Sequence, residues 1–486
     1  MQATPGGSLT ILAVMLPVAT ATLAPLLGIR MARRAALFLL VPASLAIAVA
    51  IAAAVLRSDA ALVVQFGGVA PPLGVALRAD GLSAAFLLTS AVVMGAVLLF
   101  TGTEGEGRAA VAMAALMPAI WSGVNLAFVA NDLFSIFIAL ELLTFAAVPL
   151  VALDGSRRTL EAALRYLVFA LLGSVLYLLG TGLLYGCYGT LDLLLLREVI
   201  RPDAATSLAA VLMTVGLMAK TALFPLHLWL PPAHGGAPPA VSAVLSALVV
   251  KATFFLLLRL WFGPLHPLLV PLLAQMMAAL GAAAILVGGA MALRQERLKM
   301  LVAYSTVAQL GYLFMMVPMV LAGGAESSTA WLGGVLQATS HAVAKAAMFL
   351  AAGLMAAAAG GDRVAGLGAV GRAAPAAVLA FALSGLSLMG IPPSGGFTAK
   401  WLLVSAAVDT GQWWWALAVV GGGLLTGGYL YRVLASVLGG ASEPAEAVAW
   451  RPQAIVLGLA LASVVLGLLP LYAFGLVQVG RVDLMP

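Results

Sequence analysis

Five side chains that carry a full charge stand inside long apolar runs of this 486-residue sequence: Glu141, Lys220, Lys251, Lys345 and Lys400. An ionised group in hydrocarbon costs several kcal/mol even after relaxation, so it needs a partner of opposite charge or a wet cavity. A buried lysine can lose its proton, whereas an arginine effectively cannot. A structural ion pair is the alternative for Glu141, although a hydrophobic pair would stabilise a fold as well. The residue types therefore favour proton conduction, with Glu141 as the counter-charge for a lysine.

Three histidines could extend such a path. His341 and Lys345 are four residues apart, which places them on one helical face as two consecutive stops for a proton. Metal binding is a poor alternative there, because no carboxylate or second histidine stands at ligand spacing. His227 and His234 are accessory candidates. A single membrane histidine is often a packing residue, and for His234 both interpretations stay open.

Prolines interrupt two of the apolar runs. Pro225 follows Lys220 closely, and Pro392 and Pro393 precede Lys400. Discontinuous helices in corresponding positions of two repeats are how transporters place polar groups at the midplane. Simple proline kinks are the alternative, since membrane helices tolerate them. A lysine beside each break favours the functional interpretation.

The elements that position these residues are predicted to be membrane helices. The hydrophobic set makes up 63% of the chain and charged residues 9%, where a soluble protein carries about a quarter. Continuous apolar runs of about 20 residues indicate helices rather than barrel strands. We predict an all-α polytopic protein with fourteen spans, the first a mature helix and not a signal peptide. Their centres lie near residues 18, 46, 91, 120, 143, 174, 215, 251, 280, 311, 345, 389, 424 and 466.

Composition also excludes several kinds of site. The single cysteine, Cys187, allows no internal disulfide and no thiolate cluster, and it lacks the context for covalent haem. We therefore expect no cofactor, no metal and no self-contained catalytic site. The net charge of +6 comes from scattered basic residues rather than a basic run, which argues against nucleic acid.

The basic residues of the loops predict the orientation. One set of alternate loops holds fourteen of the 24 lysines and arginines, and the other set holds six: Arg57, Arg78, Arg197, Arg201, Arg259 and Arg481. The richer set should be cytoplasmic, with both termini outside. We expect a multi-pass protein of the inner membrane of a bacterium.

Four ordered segments resemble a known family. Residues 219–234, 298–312, 340–345 and 390–400 are similar to the antiporter-like proton-channel subunits of respiratory complex I, membrane-bound hydrogenases and Mrp cation/proton antiporters, above all the Mrp D-type and complex I M/N-type. The resemblance implies about fourteen helices, two inverted five-helix repeats, and breaks in helices 7 and 12. The corresponding units are residues 1–108 for helices 1–3, 109–263 and 264–440 for the repeats, and 441–486 for helix 14.

The family's charged residues map onto a set that we call the buried axis: Glu141, Lys220, Lys251, His341, Lys345 and Lys400. The resemblance implies a proton-translocating subunit that works with other membrane subunits of an Mrp-type or complex I-like assembly. Sodium or potassium ions are further candidate substrates, and the assembly could be a proton-pumping oxidoreductase. A stand-alone transporter of a small solute and a non-conducting scaffold are the alternatives. A chain of lysines through successive helices favours the relay over both.

Overall fold

Helices make up most of the computed structural model, which describes residues 3–103, 107–440 and 445–481. The α-helices, in chain order, are α1 Ser8–Ala35, α2 Val41–Ser58, α3 Gly81–Thr101, α4 Arg108–Val129, α5 Leu133–Val151, α6 Arg157–Tyr188, α7 Leu193–Val199, α8 Ala204–Thr221, α9 Leu230–Gly236, α10 Pro239–Val244, α11 Val250–Trp261, α12 Pro271–Arg294, α13 Leu298–Leu321, α14 Gly324–Ala358, α15 Val370–Ala373, α16 Pro375–Met389, α17 Gly395–Asp409, α18 Trp414–Leu438 and α19 Trp450–Leu468.

Twelve helical segments of the described chain are each long and apolar enough to cross a membrane. Every predicted span centre lies within a helix, and the multi-pass helical class is confirmed. The first two centres share one helical run, Ser8–Ser58, because a π-helical stretch joins α1 to α2. The predicted twelfth span is divided between α16 and α17, of 15 residues each. The number fourteen and the inverted repeats stay predictions.

Two breaks separate consecutive helices beside a lysine. α8 ends at Thr221, Ala222 adopts the left-handed conformation with φ 58°, and α9 begins at Leu230, so Pro225 lies between them. α16 ends at Met389, Gly390 has φ 90°, and α17 begins at Gly395, after Pro392 and Pro393. A positive φ is unfavourable for most residues and stops a helix.

The sequence analysis did not foresee a short β-hairpin. Strand β1 Leu62–Gln65 pairs antiparallel with β2 Ala76–Ala79, and Val63 faces Arg78 in the register. Strands of four residues are too short to stand out in a hydropathy pattern. β2 leads directly to Asp80, whose side chain accepts a hydrogen bond from the Ser83 N–H and caps α3.

The C-terminal segment packs on the start of α3. Residues Leu471–Gln478 form 3₁₀ turns, and the Gly81 N–H donates to the Val479 carbonyl at 3.0 Å. A Cβ at position 81 would lie 1.7 Å from the Leu476 carbonyl oxygen, so only glycine permits this contact. The segment thus forms part of the surroundings of Arg78 and Asp80.

Candidate functional site

Glu141 and Lys220 meet between α5 and α8. The Lys220 Nζ lies 3.8 Å from Oε1 of Glu141, and it donates to the Thr144 hydroxyl at 2.9 Å and to the Leu140 carbonyl at 3.2 Å. The Ser174 hydroxyl on α6 donates to the Glu141 carboxylate. The Lys220 side chain is 5% exposed and that of Glu141 18%. The pair is therefore buried but loose, with each partner held by neutral hydroxyls.

Glycines bring α8, which carries Lys220, against α6, which carries Ser174. Gly173 on α6 faces Gly216 on α8, and a Cβ on Gly173 would lie 2.7 Å from the Gly216 carbonyl oxygen and 3.0 Å from Cγ of Lys220. Small residues let membrane helices approach at backbone distance. This contact places Lys220 close to the helix whose Ser174 donates to Glu141.

Replacing Gly173 with alanine should push α6 and α8 apart. We expect overpacking to cost about 1–3 kcal/mol of stability and to weaken transport, because the Glu141–Lys220 distance increases. Thermal unfolding in detergent and ion flux in vesicles would measure both effects. Gly182→Ala on the same helix is the control, since a Cβ there meets no atom within 4 Å. Equal behaviour of the two variants would contradict the prediction.

A short polar link leads from this pair towards Lys251. The Thr221 hydroxyl on α8 donates to the Thr253 hydroxyl on α11 at 2.8 Å. A cavity of about 10 Å³ beside it is lined by Thr144, Tyr166, Lys220 and Thr253 among others. That volume is close to what one water needs, and the polar lining offers it partners.

Lys251 stands next to a π-helical turn, Leu245–Val249, that joins α10 to α11. Its side chain is buried, with the residue 1% exposed, and its Nζ donates to the Ser246 carbonyl. The Ser246 hydroxyl shares a hydrogen bond of 3.0 Å with Thr306 on α13. π-turns widen a helix and are frequent at functional positions. This turn therefore connects Lys251 to α13, which also accepts hydrogen bonds from Lys345 on α14.

Lys345 on α14 donates to the Val302 carbonyl at 2.9 Å and to the Ser305 hydroxyl, both on α13. His341 lies one turn earlier, and within the described residues neither of its buried ring nitrogens has a hydrogen-bond partner. Its ring is near enough to Lys251, Lys345 and Lys400 for their charges to act on it. His341 therefore lies within electrostatic range of the three buried lysines that have no carboxylate partner among the described residues.

Lys400 lies on α17, beside the second helix break. Its Nζ donates to the Leu388 carbonyl at 2.6 Å and stands 4.0 Å from the centre of the Tyr312 ring. The Gln309 amide donates to the same carbonyl at 2.9 Å, and the Gln337 amide donates to Gln309 at 3.1 Å. An aromatic face and an amide network thus surround this ammonium.

The two accessory histidines have different positions. The His234 ring packs 5.8 Å from that of Phe349, over which Lys345 also lies, and its nitrogens have no hydrogen-bond partner among the described residues. His227 packs on Phe224 inside the first break. No described hydrogen bond joins His227 to a lysine of the buried axis. The structure therefore brings His234 to the axis, but it does not bring His227 there by direct contact.

Several polar partners of the axis were missed by the sequence analysis: Thr144, Ser174, Gln309, Tyr312 and Gln337. Thr144 stands three residues after Glu141, hence on the same helical face, which is a signal in the sequence. Gln309 and Gln337 are amides within apolar spans, which is a weaker signal. Nothing in the local sequence of Ser174 indicates that α6 would turn it towards Glu141.

A second buried charge cluster lies at the beginning of α3. Arg78 donates to Asp80 at 2.7 Å and to the Gly480 carbonyl at 3.0 Å, and Arg259 from the end of α11 donates to Asp80 and, at 2.8 Å, to the Ser83 hydroxyl. Burial raises the pKa of the Asp80 carboxyl, but the Arg259 and Arg78 charges outweigh it and hold that pKa below the usual range. One carboxylate thus forms ion pairs with two arginines.

Asp80→Asn should strongly destabilise the chain at neutral pH. Two nearly buried arginines would lose their counter-charge, which costs about 3–5 kcal/mol. Since the folded pKa of Asp80 is lowered, this stability is fully present above the ordinary carboxyl pKa and is lost as the pH falls through the lowered pKa. The gap between the thermal midpoints of wild type and variant should therefore close in strong acid. Exposed Asp59, changed to Asn, is the control, and a gap that does not depend on pH would contradict this account.

Comparisons with known proteins identify chains of similar sequence and fold. Residues 130–426 match the family described as NADH:quinone oxidoreductase/Mrp antiporter, TM. The chain is 33% identical over 431 residues to the N subunit of NADH-quinone oxidoreductase of Desulforudis audaxviator, with 84% of each chain covered. It is 29% identical over 378 residues to the D-type subunit of the Na⁺/H⁺ antiporter of Alkalihalophilus pseudofirmus, covering 75% of this chain and 73% of that one. Its fold matches a chain in the Mrp complex from Dietzia sp. DQ12-45-1b with a TM-score of 0.89 at 24% identity, covering 99% and 97% of the two chains.

Proposed function

The chain belongs to the NADH:quinone oxidoreductase/Mrp antiporter transmembrane family, and on that premise we propose that it moves protons across the membrane through its buried axis, as one subunit of a larger assembly. The relatives are named as subunits of oxidoreductases and of antiporters, which supports partner membrane subunits for this chain as well.

One observation carries the proposal: each buried lysine donates to a main-chain carbonyl. The pairs are Lys220 with Leu140, Lys251 with Ser246, Lys345 with Val302, and Lys400 with Leu388. A carbonyl accepts a hydrogen bond from an ammonium and from a neutral amine alike. Each lysine could therefore release and regain a proton without losing its anchor. A lysine kept only for structure would gain more from a carboxylate, and in the described chain only Lys220 has one.

The relay would begin at Glu141. While Glu141 stands beside Lys220, it holds that amine protonated; when a neighbouring subunit or a bound ion draws the carboxylate away, Lys220 can release its proton. Separating a buried pair is worth about 3–5 kcal/mol, which corresponds to about two to four pH units. The proton then passes by Thr221, Thr253 and water to Lys251. It continues past His341 and Lys345 and leaves near Lys400.

Unpartnered polar atoms support water along this route. Among the described residues, the ring nitrogens of His234 and His341 and the hydroxyls of Tyr312 and Ser384 are buried without a hydrogen-bond partner. Buried polar atoms are nearly always satisfied, so ordered water is the natural partner for these. Three of these residues lie in helices that contact α13 or belong to it, and α13 anchors Lys345. His227 stays an accessory candidate at the first break.

The topology remains part of the proposal. Residues 109–263 and 264–440 would form two inverted units, each with one broken helix, and the distribution of basic residues supports an orientation with both termini outside a bacterial inner membrane. In this arrangement each unit brings one lysine to its break, Lys220 in the first and Lys400 in the second.

The test is to purify the chain from its native membrane with every subunit that accompanies it and to reconstitute the assembly in vesicles that contain a pH-sensitive dye. We expect proton movement when the assembly is driven by its electron donor and quinone, or by a sodium or potassium gradient. The identity of the accompanying proteins decides which drive applies. Proton movement that requires an organic solute, or none under any drive, would overturn the proposal.

A further inference from the structure

Four arginines converge on one cavity at the predicted outer side. Arg78, Arg197, Arg259 and Arg481 all line a cavity of about 50 Å³, which we call the arginine cavity. They are four of the six basic residues that the loop count assigns to that side. Asp80 is the one acidic residue in the lining, and the nearby Asp192 carboxylate acts on Arg78. Among the described residues that line the cavity, the arginines outnumber the carboxylates.

The lining is ordered by contacts within the chain. Asp80 holds the guanidinium groups of Arg78 and Arg259, while Arg481 lies 5.0 Å from the centre of the Trp331 ring and donates to the Ser327 hydroxyl at 2.5 Å. Guanidinium groups in fixed positions are suited to phosphate, because their planar N–H groups match its oxygen atoms.

A second, larger cavity adjoins the first. It has a volume of about 370 Å³, and its lining is apolar apart from two threonines on α3 and α14; we call it the apolar cavity. Val477 lines both cavities. Leu82 of the arginine cavity and Ala85 of the apolar cavity are three residues apart on α3, so the two cavities follow one face of that helix.

The apolar cavity opens to the surface of the described chain. Val92 on α3 and Val465 on α19 line it and are 40% and 50% exposed. In a membrane this surface meets acyl chains. The arginine cavity lies where α3 begins and α11 ends, and the ends of membrane-spanning helices are where lipid head groups are expected. The pair of cavities therefore runs from the membrane interface into the hydrocarbon.

We propose that the two cavities together bind one anionic phospholipid, with its phosphate in the arginine cavity and an acyl chain in the apolar cavity. A soluble anion would use the first cavity only, and an apolar helix of a partner subunit would use the second only. The bound lipid would join α3 and α14 to the C-terminal segment. This inference does not rest on proton transport, and failure of either would leave the other standing.

Lipid titration followed by native mass spectrometry tests the head-group contact. The full chain, purified with its accompanying subunits and stripped of lipid, is titrated with phosphatidylglycerol and with zwitterionic phosphatidylcholine. We expect the wild type to favour phosphatidylglycerol, and Arg197→Gln/Arg481→Gln to weaken its binding about tenfold, the size of one charge-assisted contact. Arg57→Gln/Arg201→Gln removes the same charge from the same predicted side, outside the cavity, and should change nothing. Equal affinity for the two lipids, or equal loss in both double variants, would overturn the proposal.

A second arm tests the acyl-chain contact without touching an arginine. Ala462→Trp should fill part of the apolar cavity and weaken phosphatidylglycerol binding about tenfold. Ala46→Trp, on an exposed face of α2, is the matched control. Inorganic phosphate should not displace the lipid at equal concentration. Displacement of the lipid by phosphate, or undiminished phosphatidylglycerol binding to Ala462→Trp, would indicate a site for free anions instead. The result for Ala462→Trp decides the question even if the arginine variant fails to fold.

Discussion

Glu141→Gln is expected to abolish coupled proton movement, with a loss of about a hundredfold or more. Glutamine keeps the shape of the side chain and can still accept from the Ser174 hydroxyl, but it removes the one carboxylate that faces a buried lysine in the described chain. Lys220 would then be a buried cation without a counter-charge, a change worth about 3–5 kcal/mol, and an energy of about 2.8 kcal/mol already corresponds to about a hundredfold. The measurement is dye-monitored proton flux in vesicles that contain the complete assembly.

Glu161→Gln is the matched control. That glutamate forms an ion pair with Arg157 on the surface of α6, and its side chain is 62% exposed, so its loss should leave flux and stability nearly unchanged. Undiminished proton flux in Glu141→Gln would indicate that this chain is a non-conducting scaffold. A fall in flux that merely follows a loss of folded protein, seen in the thermal midpoint, would assign Glu141 to structure.

Removing the amine of Lys251 should interrupt the relay between Lys220 on one side and His341 and Lys345 on the other. Lys251→Ala is expected to lower proton flux by about a hundredfold or more, the range typical of a missing proton-transfer group. Lys251→Met keeps most of the volume and should have the same effect, because neither side chain carries a proton. The residue is 1% exposed, so the alanine variant also leaves a cavity, and the methionine variant separates that cost from the loss of the amine.

Lys251→Arg gives the sharpest comparison. Arginine keeps the positive charge but cannot release a proton, so flux should be lost in this variant too. Flux that survives in Lys251→Arg would mean that position 251 supplies charge and not a proton. Lys299→Ala tests the fifth lysine, which lies at the start of α13 and donates to the Ala237 carbonyl at 2.9 Å, and it should leave the relay working.

The helical fold was predictable because the hydropathy of a segment shows directly whether that segment can lie in the hydrocarbon of a membrane. Span centres depend only on local composition, and each predicted centre lies in a helix. The hairpin was not predictable in the same way, because its strands at Leu62–Gln65 and Ala76–Ala79 are too short to produce a period-two signal. The π-turn at Leu245–Val249 has no sequence signature among apolar residues, yet it lies directly before Lys251.

Residue identity indicated which groups carry charge in the membrane, but not what holds them. Glu141 and the four lysines are conspicuous in any apolar run. The lysines donate to main-chain carbonyls, which every residue possesses, so the sequence contains no mark of Leu140, Val302 or Leu388 as acceptors. The convergence of Arg78 and Arg481 on one cavity depends on tertiary packing alone, because each looks like an ordinary loop residue in the sequence.

The hydrogen bond from Arg78 to the Gly480 carbonyl joins residues 402 positions apart. α3 leaves the ribosome early, whereas the segment that packs on its first turn is synthesised only after all the later helices. The arginine cavity consequently cannot close in any nascent chain that has not passed residue 480, and until then the guanidinium groups stay without part of their lining. A quality-control protease or an assembly factor that bound this open cluster would distinguish chains in which this segment has not yet docked from chains in which it has. The surface where the third helix begins is thus completed only after residue 480 has been synthesised.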